Sequence, residues 1–105
     1  MNKRIAKKKG LAKIRQEELW DLDTTLAKYI LPRLQKFRSM ERLGYPANMN
    51  GEEEWNEILD KMIYAFKYAI EKNTLLCGYE EEKKIRERYK EGMALFAEHF
   101  MDLWD

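Results

Sequence analysis

Apolar residues recur every three or four positions in three long blocks of this chain, and each block reads as an amphipathic helix. The first is WDLDTTLAKYILPRLQKF, residues 20–37, where Leu22, Leu26, Ile30, Leu34 and Phe37 follow at steps of four, four, four and three and are expected to share a face. The second opens at the run Glu52, Glu53, Glu54 and has the clearest 3.6-residue period. Trp55, Ile58, Leu59, Met62, Phe66, Ala69 and Ile70 form its core face, widened by Ile63. The third runs from about Glu80 to Leu103, with Ile85, Tyr89, Met93, Phe96, Phe100 and Leu103 on one side. Gly92 lies near that side, where the missing side chain lets another helix come close. No segment carries the two-residue alternation of a strand, and there is no internal repeat.

Polar residues punctuate these blocks. Helix 1 is expected to begin near Ala12, pass through Gln16 and Leu19, and end near Arg42, with Gly44 placed as a left-handed C′ residue. Asp21 and Asp23 occupy positions where an N-cap or first-turn carboxylate is favoured. Pro32 is the anomaly: inside a helix it lacks a donor and crowds the carbonyl four residues back, that of Lys28, at a cost of ~3 kcal/mol. A kink or a bared Lys28 carbonyl is expected there, with Arg33 beside it. Tyr45 precedes Pro46 and is pushed toward extended backbone, so GYPANMN, residues 44–50, forms the connection. Asn50 and Glu53 make a capping-box pattern for helix 2, and Lys72 and Asn73 close it. Leu75, Leu76 and Tyr79 are expected to cap the core or sit in a subunit contact.

The fold class that follows is all-α, with three principal helices: the first two in an antiparallel hairpin, the third long helix across them. The chain of 105 residues is one domain. A domain this small has a modest core, and its helices carry apolar residues on more than one face, so a homodimer or higher oligomer is expected.

Composition changes the picture in one respect. The formal net charge is +1, but residues 1–16 hold seven of the 20 basic residues and no acid, which leaves 13 basic against 19 acidic residues beyond them. A basic arm, residues 1–16, thus precedes an acidic helical domain, residues 17–105. An acidic body is a poor general platform for nucleic acid, whose binding is driven by phosphate contacts. For the arm, three readings stand: a solvated segment, contact with nucleic acid or an acidic partner, and a membrane-surface helix, whose apolar face here is thin. No secretory signal is recognisable, and no apolar run nears the ~20 residues of a membrane span. The expected location is the cytoplasm, without membrane association. Cys77 is the only cysteine, which excludes an intrachain disulfide and fits an inert buried thiol.

Candidates for catalysis are few. His99, the only histidine, has Glu98 beside it and Asp102 one turn on. One histidine and two acids make a weak metal site, and a surface ion cluster is the expected arrangement. Helical enzymes that hydrolyse nucleoside triphosphates through magnesium use paired-carboxylate turns on two facing helices. Glu53, Glu54, Glu57 and Asp60 resemble the first half, but Glu71 is followed by Thr74 where the second half needs an acid. There is no glycine-rich phosphate loop and no Ser-His-Asp set. A non-enzymatic protein is expected, with no cofactor and no metal.

A binding face is easier to find. Tyr29, Arg33 and Lys36 line up at spacings of four and three, and Lys61, Tyr64 and Tyr68 do the same on helix 2. Aromatic faces beside cationic donors stack bases and hold phosphates, with Arg giving a planar two-pronged contact. The ordinary alternative is that these side chains lay apolar stems on the helix and keep polar tips in water. Trp20, Trp55 and Trp104 stand where helices open or close and are expected to lock helix ends or subunit contacts.

The run WDLD..LA.YILPRL..F, then GYP, EEW..ILDKMI.AF and a terminal LFAEHFMDLWD resembles a widespread group of small proteins of phage and prophage genomes. The resemblance covers residues 20–105 and leaves the basic arm outside it. That group is similar in turn to phage sponge proteins, which sequester cyclic-nucleotide signals of bacterial anti-phage immunity without cleaving them. The resemblance implies a cyclic nucleotide as ligand and a pocket shared between subunits. It marks Trp20, Asp21, Asp23, Lys28, Pro32, Arg33, Tyr45, Pro46, Trp55, Asp60 and Lys61 as motif positions, Asp21 and Asp23 doubling as helix caps. With the cationic–aromatic face added, the expected ligand set is Trp20, Lys28, Tyr29, Arg33, Lys36, Tyr45, Lys61 and Tyr64. A module that inhibits or redirects a host protein, and nucleic-acid binding through the arm, are the alternatives.

Overall fold

A computed structural model describes residues 13–40, 44–47, 49–71 and 78–104. They form a short helix α1 (Glu17–Trp20) and three long ones, α2 (Leu22–Ser39), α3 (Glu52–Glu71) and α4 (Tyr79–Glu98), followed by a 3-10 turn (Phe100–Asp102). There is no strand among the described residues. The expectations for residues 1–12, for Cys77, Leu75 and Leu76, and for the Lys72–Asn73 closure lie outside them.

Helix 1 does not run straight in from the arm. The backbone breaks at Asp21, φ −136° and ψ 61°, so α1 and α2 are separate. The Thr25 hydroxyl donates to the Glu18 carbonyl at 3.0 Å and ties the two together. From there α2 continues through Pro32 to Ser39 without interruption. Pro32 has no N–H, so the Lys28 carbonyl loses its intrahelical donor. The next carbonyl, that of Tyr29, accepts the Arg33 guanidinium at 2.8 Å.

α2 also ends earlier than expected. The Ser39 hydroxyl donates to the Lys36 carbonyl at 2.8 Å. The Met40 amide reaches the Lys36 and Phe37 carbonyls while Met40 itself is extended, ψ 152°. These bonds satisfy the last carbonyls three residues before Arg42. Gly44 has an ordinary φ and plays no left-handed role. The start of α3 is shifted by one residue as well. The carboxylate that reaches back is Glu54, not Glu53, and it accepts the Asn50 amide at 2.8 Å. The Gly51 carbonyl accepts the Trp55 amide at 3.3 Å, so Gly51 stands at the cap position expected for Asn50.

α3 is the central element. Trp55, Leu59, Met62, Ala65, Phe66 and Ala69 are buried along it, and full burial of each large one contributes ~1.5–3 kcal/mol. α2 supplies Ala27 and Leu34 to this core. Half-buried Tyr89, Met93, Leu95, Phe96 and Leu103 close it from the C-terminal side. α4 runs antiparallel to α3: Trp55 meets His99, Lys61 meets Glu91 and Tyr68 meets Tyr89. Gly92 is the point of closest approach. A Cβ there would meet the Lys61 carbonyl oxygen and lie 2.6 Å from the Ala65 Cβ.

Among the described long helices α4 packs on α3 only; α2 and α4 flank α3 without backbone contact between them. A groove is left between them beneath α3, and the shortest dimension of the molecule is only 20 Å. The stripe expected on helix 1 is split by this arrangement. Each step of four residues overshoots a turn by about 40°, so Leu22 lies about a third of a turn away from Leu34. Leu34 is buried, whereas Leu22 and Leu26 are 44% and 51% exposed. Small Ala27 takes their place against α3.

Candidate binding surfaces

Two hollows of opposite character flank the buried face of α3. The first lies in the groove between α2 and α4. Its volume is about 260 Å³, and its walls are Ile30, Leu34 and Phe37 from α2, Phe96 from α4, and Phe100 and Leu103 from the C-terminal segment. Tyr29 and Arg33 complete it as rim residues. The Phe96 ring packs edge-on against both Phe66 and Phe100, at 4.9 and 5.4 Å between centroids. The wall is therefore a connected set of rings, not a collection of loose side chains.

Arg33 is held in place on this rim. Its guanidinium carbon sits 3.6 Å from the centre of the Tyr29 ring, and one N–H donates to the Tyr29 carbonyl. No described carboxylate pairs with it, whereas Arg38 pairs with Asp60 at 3.0 Å and Arg86 with Glu82 at 2.8 Å. Lys36 lies on the same side of α2, exposed and also without a carboxylate partner among the described residues. Lys28 is one residue from Tyr29, about 100° around the helix, and faces elsewhere.

The helix 2 set is a separate place. Lys61 pairs with Glu91 at 2.9 Å, and Arg88 lies over the Tyr64 ring at 4.1 Å. Asp60, Lys61, Tyr64, Arg88 and Glu91 line a shallow depression between α3 and α4. Tyr68 stacks on Tyr89, 5.0 Å between centroids. These contacts join α3 to α4 and do not approach the Arg33 rim.

The second hollow, about 350 Å³, is lined by Gly44, Tyr45, Pro46 and Ala47 of the connection, by Trp55, and by Asp102 and Trp104. Behind it lies His99. The acidic neighbours expected around it are there, Glu98 among them at 3.9 Å from Nε2, but the imidazole is not at the surface: His99 is 3% exposed. Its Nδ1 is 3.0 Å from the Asp102 carboxylate, and its ring meets Trp55 edge-on at 5.4 Å. The helix ends at Glu98 and the 3-10 turn folds Asp102 back under His99, an arrangement that i, i+3 spacing alone does not reveal.

Trp20 and Trp104 are 74% and 75% exposed, so neither locks a helix end within the protomer. Tyr79 is likewise exposed and caps no core. The expected ligand set is thus divided: Tyr29, Arg33 and Lys36 on one surface, Lys61 and Tyr64 on another, Tyr45 in the second hollow, with Trp20 and Lys28 in neither hollow. Phe37, Phe96, Phe100 and Leu103 were legible as apolar, but nothing in their spacing marked them as the wall of a cavity. Among the described residues no group of three or more acids, histidines or cysteines is arranged to hold a metal, and no helix is long and apolar enough to cross a membrane. No family model, curated protein or solved structure matches the chain.

Proposed function

We propose that this protein is a non-catalytic binder of an anionic, flat-bodied ligand of the nucleotide class, held at the Tyr29–Arg33 rim with its apolar body in the groove. In the phage setting implied by the family resemblance, the ligand is a cyclic-nucleotide signal of anti-phage immunity, and the protein sequesters it. The observation that carries this reading is Arg33 itself: exposed, fixed against the Tyr29 ring and carbonyl, without a described carboxylate partner, and standing over a hollow walled by aromatic rings. A guanidinium already held in one geometry loses less conformational entropy when it takes up a phosphate. Its remaining N–H groups suit two phosphate oxygens, and a base stacked on an aromatic wall contributes ~1–3 kcal/mol.

Size limits how the ligand sits. Ligand pockets usually span ~300–1,000 Å³, and this groove holds about 260 Å³. One base fits, and a second copy of the chain completes the site for a larger cyclic nucleotide. Calorimetry and thermal shift against cyclic di- and trinucleotides test the reading. Arg33→Ala should weaken binding roughly tenfold or more, the worth of a charge-assisted hydrogen bond, with Arg33→Lys recovering only part. Absence of a thermal shift with every cyclic nucleotide, at concentrations where the oligomer forms, would remove the proposal.

A second reading, a protein-interaction module, has an observation of its own. Leu22, Leu26 and Tyr29 are exposed along one side of α2, and a contiguous apolar strip of that kind marks a docking surface. Capture of a host protein by the wild type but not by Leu26→Glu favours it. Retention of nucleotide by Leu26→Glu keeps the two readings apart. The third alternative, nucleic-acid binding through residues 1–16, should vanish on deleting the arm and weaken steeply with salt.

A further inference from the structure

The hollow beside His99 differs from the groove in the sign of its charge. Three of its walls are aromatic, Tyr45, Trp55 and Trp104, and they come from three separate parts of the chain. Among the described residues Asp102 is the one charged group that lines it, and no cation does. Only one Asp102 oxygen is engaged: Oδ2 meets His99 Nδ1 at 3.0 Å. That contact fixes the carboxylate, because His99 is buried and itself held edge-on by Trp55. Oδ1 has no described partner.

Aromatic faces attract cations through the ring quadrupole, and rings grouped around a small space are the usual receptor for alkylated ammonium groups. Such a group has a bulky apolar shell and a diffuse positive charge. It gives up little hydration on entry, and a carboxylate at the edge supplies charge without requiring a hydrogen bond. An anion is disfavoured by Asp102. A plain hydrocarbon gains nothing from the carboxylate. We propose that this hollow is a binding site for an alkylammonium cation, with the exposed rings of Tyr45 and Trp104 as its walls, the buried Trp55 at its floor, and Asp102, positioned by His99, as the counter-charge. This site is separate from the Arg33 groove and stands or falls independently of it.

The test uses the full chain, ¹⁵N-labelled, titrated with choline. The indole N–H signals of Trp55 and Trp104 should move saturably, while that of Trp20, which lines neither hollow, stays still. The uncharged isostere 3,3-dimethylbutan-1-ol has the same shape and should move them at least tenfold more weakly. Asp102→Asn keeps an acceptor for His99 and removes the charge; Trp104→Ala removes an exposed wall. Each should weaken choline binding roughly tenfold with an unchanged circular dichroism spectrum. A short peptide carrying trimethyllysine distinguishes the source of the group: tighter binding than choline assigns it to a protein partner, weaker binding to a free small molecule. Equal binding of choline and the alcohol, or no movement of either indole at tens of millimolar choline, overturns the proposal.

Discussion

Gly92→Ala should unfold this protein well before the wild type. In an open helix the change is favourable, because alanine exceeds glycine in helix propensity by ~1 kcal/mol. At this position the new methyl meets the Lys61 carbonyl oxygen and lies 2.6 Å from the Ala65 Cβ. Neither is the far end of a flexible side chain, so α3 and α4 must separate to admit it. Overpacking of this kind costs ~1–3 kcal/mol or more, and here separation also loosens the rings at Phe66 and Phe96, 4.9 Å apart. With the propensity gain set against it, a net loss of ~2 kcal/mol is expected. For a domain of about this size that lowers Tm by ~10 °C and shifts the urea midpoint by ~1–2 M. Unfolding followed by circular dichroism measures both. Adding Ala65→Gly should recover part of the loss by removing one of the two obstructions, while the carbonyl remains. A Gly92→Ala protein as stable as the wild type, or more so, would mean that the helices do not meet at this point and that the α3–α4 register described above is incorrect.

Other substitutions separate the contributions of the remaining contacts. Asp60→Ala breaks the Arg38 pair, but both partners are well exposed, so stability should change by no more than ~1 kcal/mol. His99→Ala empties a buried position beneath Trp55 and should cost ~2 kcal/mol, measured by the same urea titration; a neutral result would place His99 at the surface. Leu22→Glu with Leu26→Glu should leave Tm nearly unchanged, as both side chains are about half exposed. The same pair should shift a concentration-dependent oligomer toward monomer in analytical ultracentrifugation, if that face is the one through which copies meet.

The sequence made α3 legible because its apolar stripe is both long and in phase, and Trp55, Leu59, Met62, Phe66 and Ala69 are buried as its period implies. Gly92 was legible for a related reason: a lone glycine near an apolar stripe has few roles other than close approach. The failures have physical causes. A run of i, i+4 leucines winds around the helix, so Leu22 and Leu34 cannot both face α3, and the smaller Ala27 wins the inner position because it lets the helices close. The end of α2 is set by the Ser39 hydroxyl, a local bond that competes with continuing the helix toward Gly44, and the start of α3 by Glu54 in place of the equivalent Glu53 beside it. His99 reads as a surface residue from its acidic neighbours. It is buried by Trp55, 44 positions earlier, and no local pattern carries that information. The binding surfaces were the least legible, since each hollow draws its walls from segments that only tertiary packing brings together.

The C-terminal segment is the element the two hollows share. Phe100 and Leu103 face the Arg33 groove, while Asp102 and Trp104 line the hollow behind Tyr45. After His99 the chain leaves the α-helix for a 3-10 turn, whose three residues per turn put Phe100 and Leu103 on one side and Asp102 on another. Removing residues 100–105 therefore takes a wall from both hollows and the hydrogen-bond partner from His99. The buried residues of α2 and α3 are untouched, and Phe100 and Trp104 are mostly exposed. Helicity should be retained, with a Tm lower by several degrees from the loss of half-buried Leu103 and of the His99–Asp102 contact. Binding at both hollows should fall together, by tenfold or more, in the calorimetric and indole titrations described above. If the truncated chain stays helical and still takes up a cyclic nucleotide with full affinity, the groove is not where that ligand binds. Arg33 would then act with groups on the outer side of α2 alone.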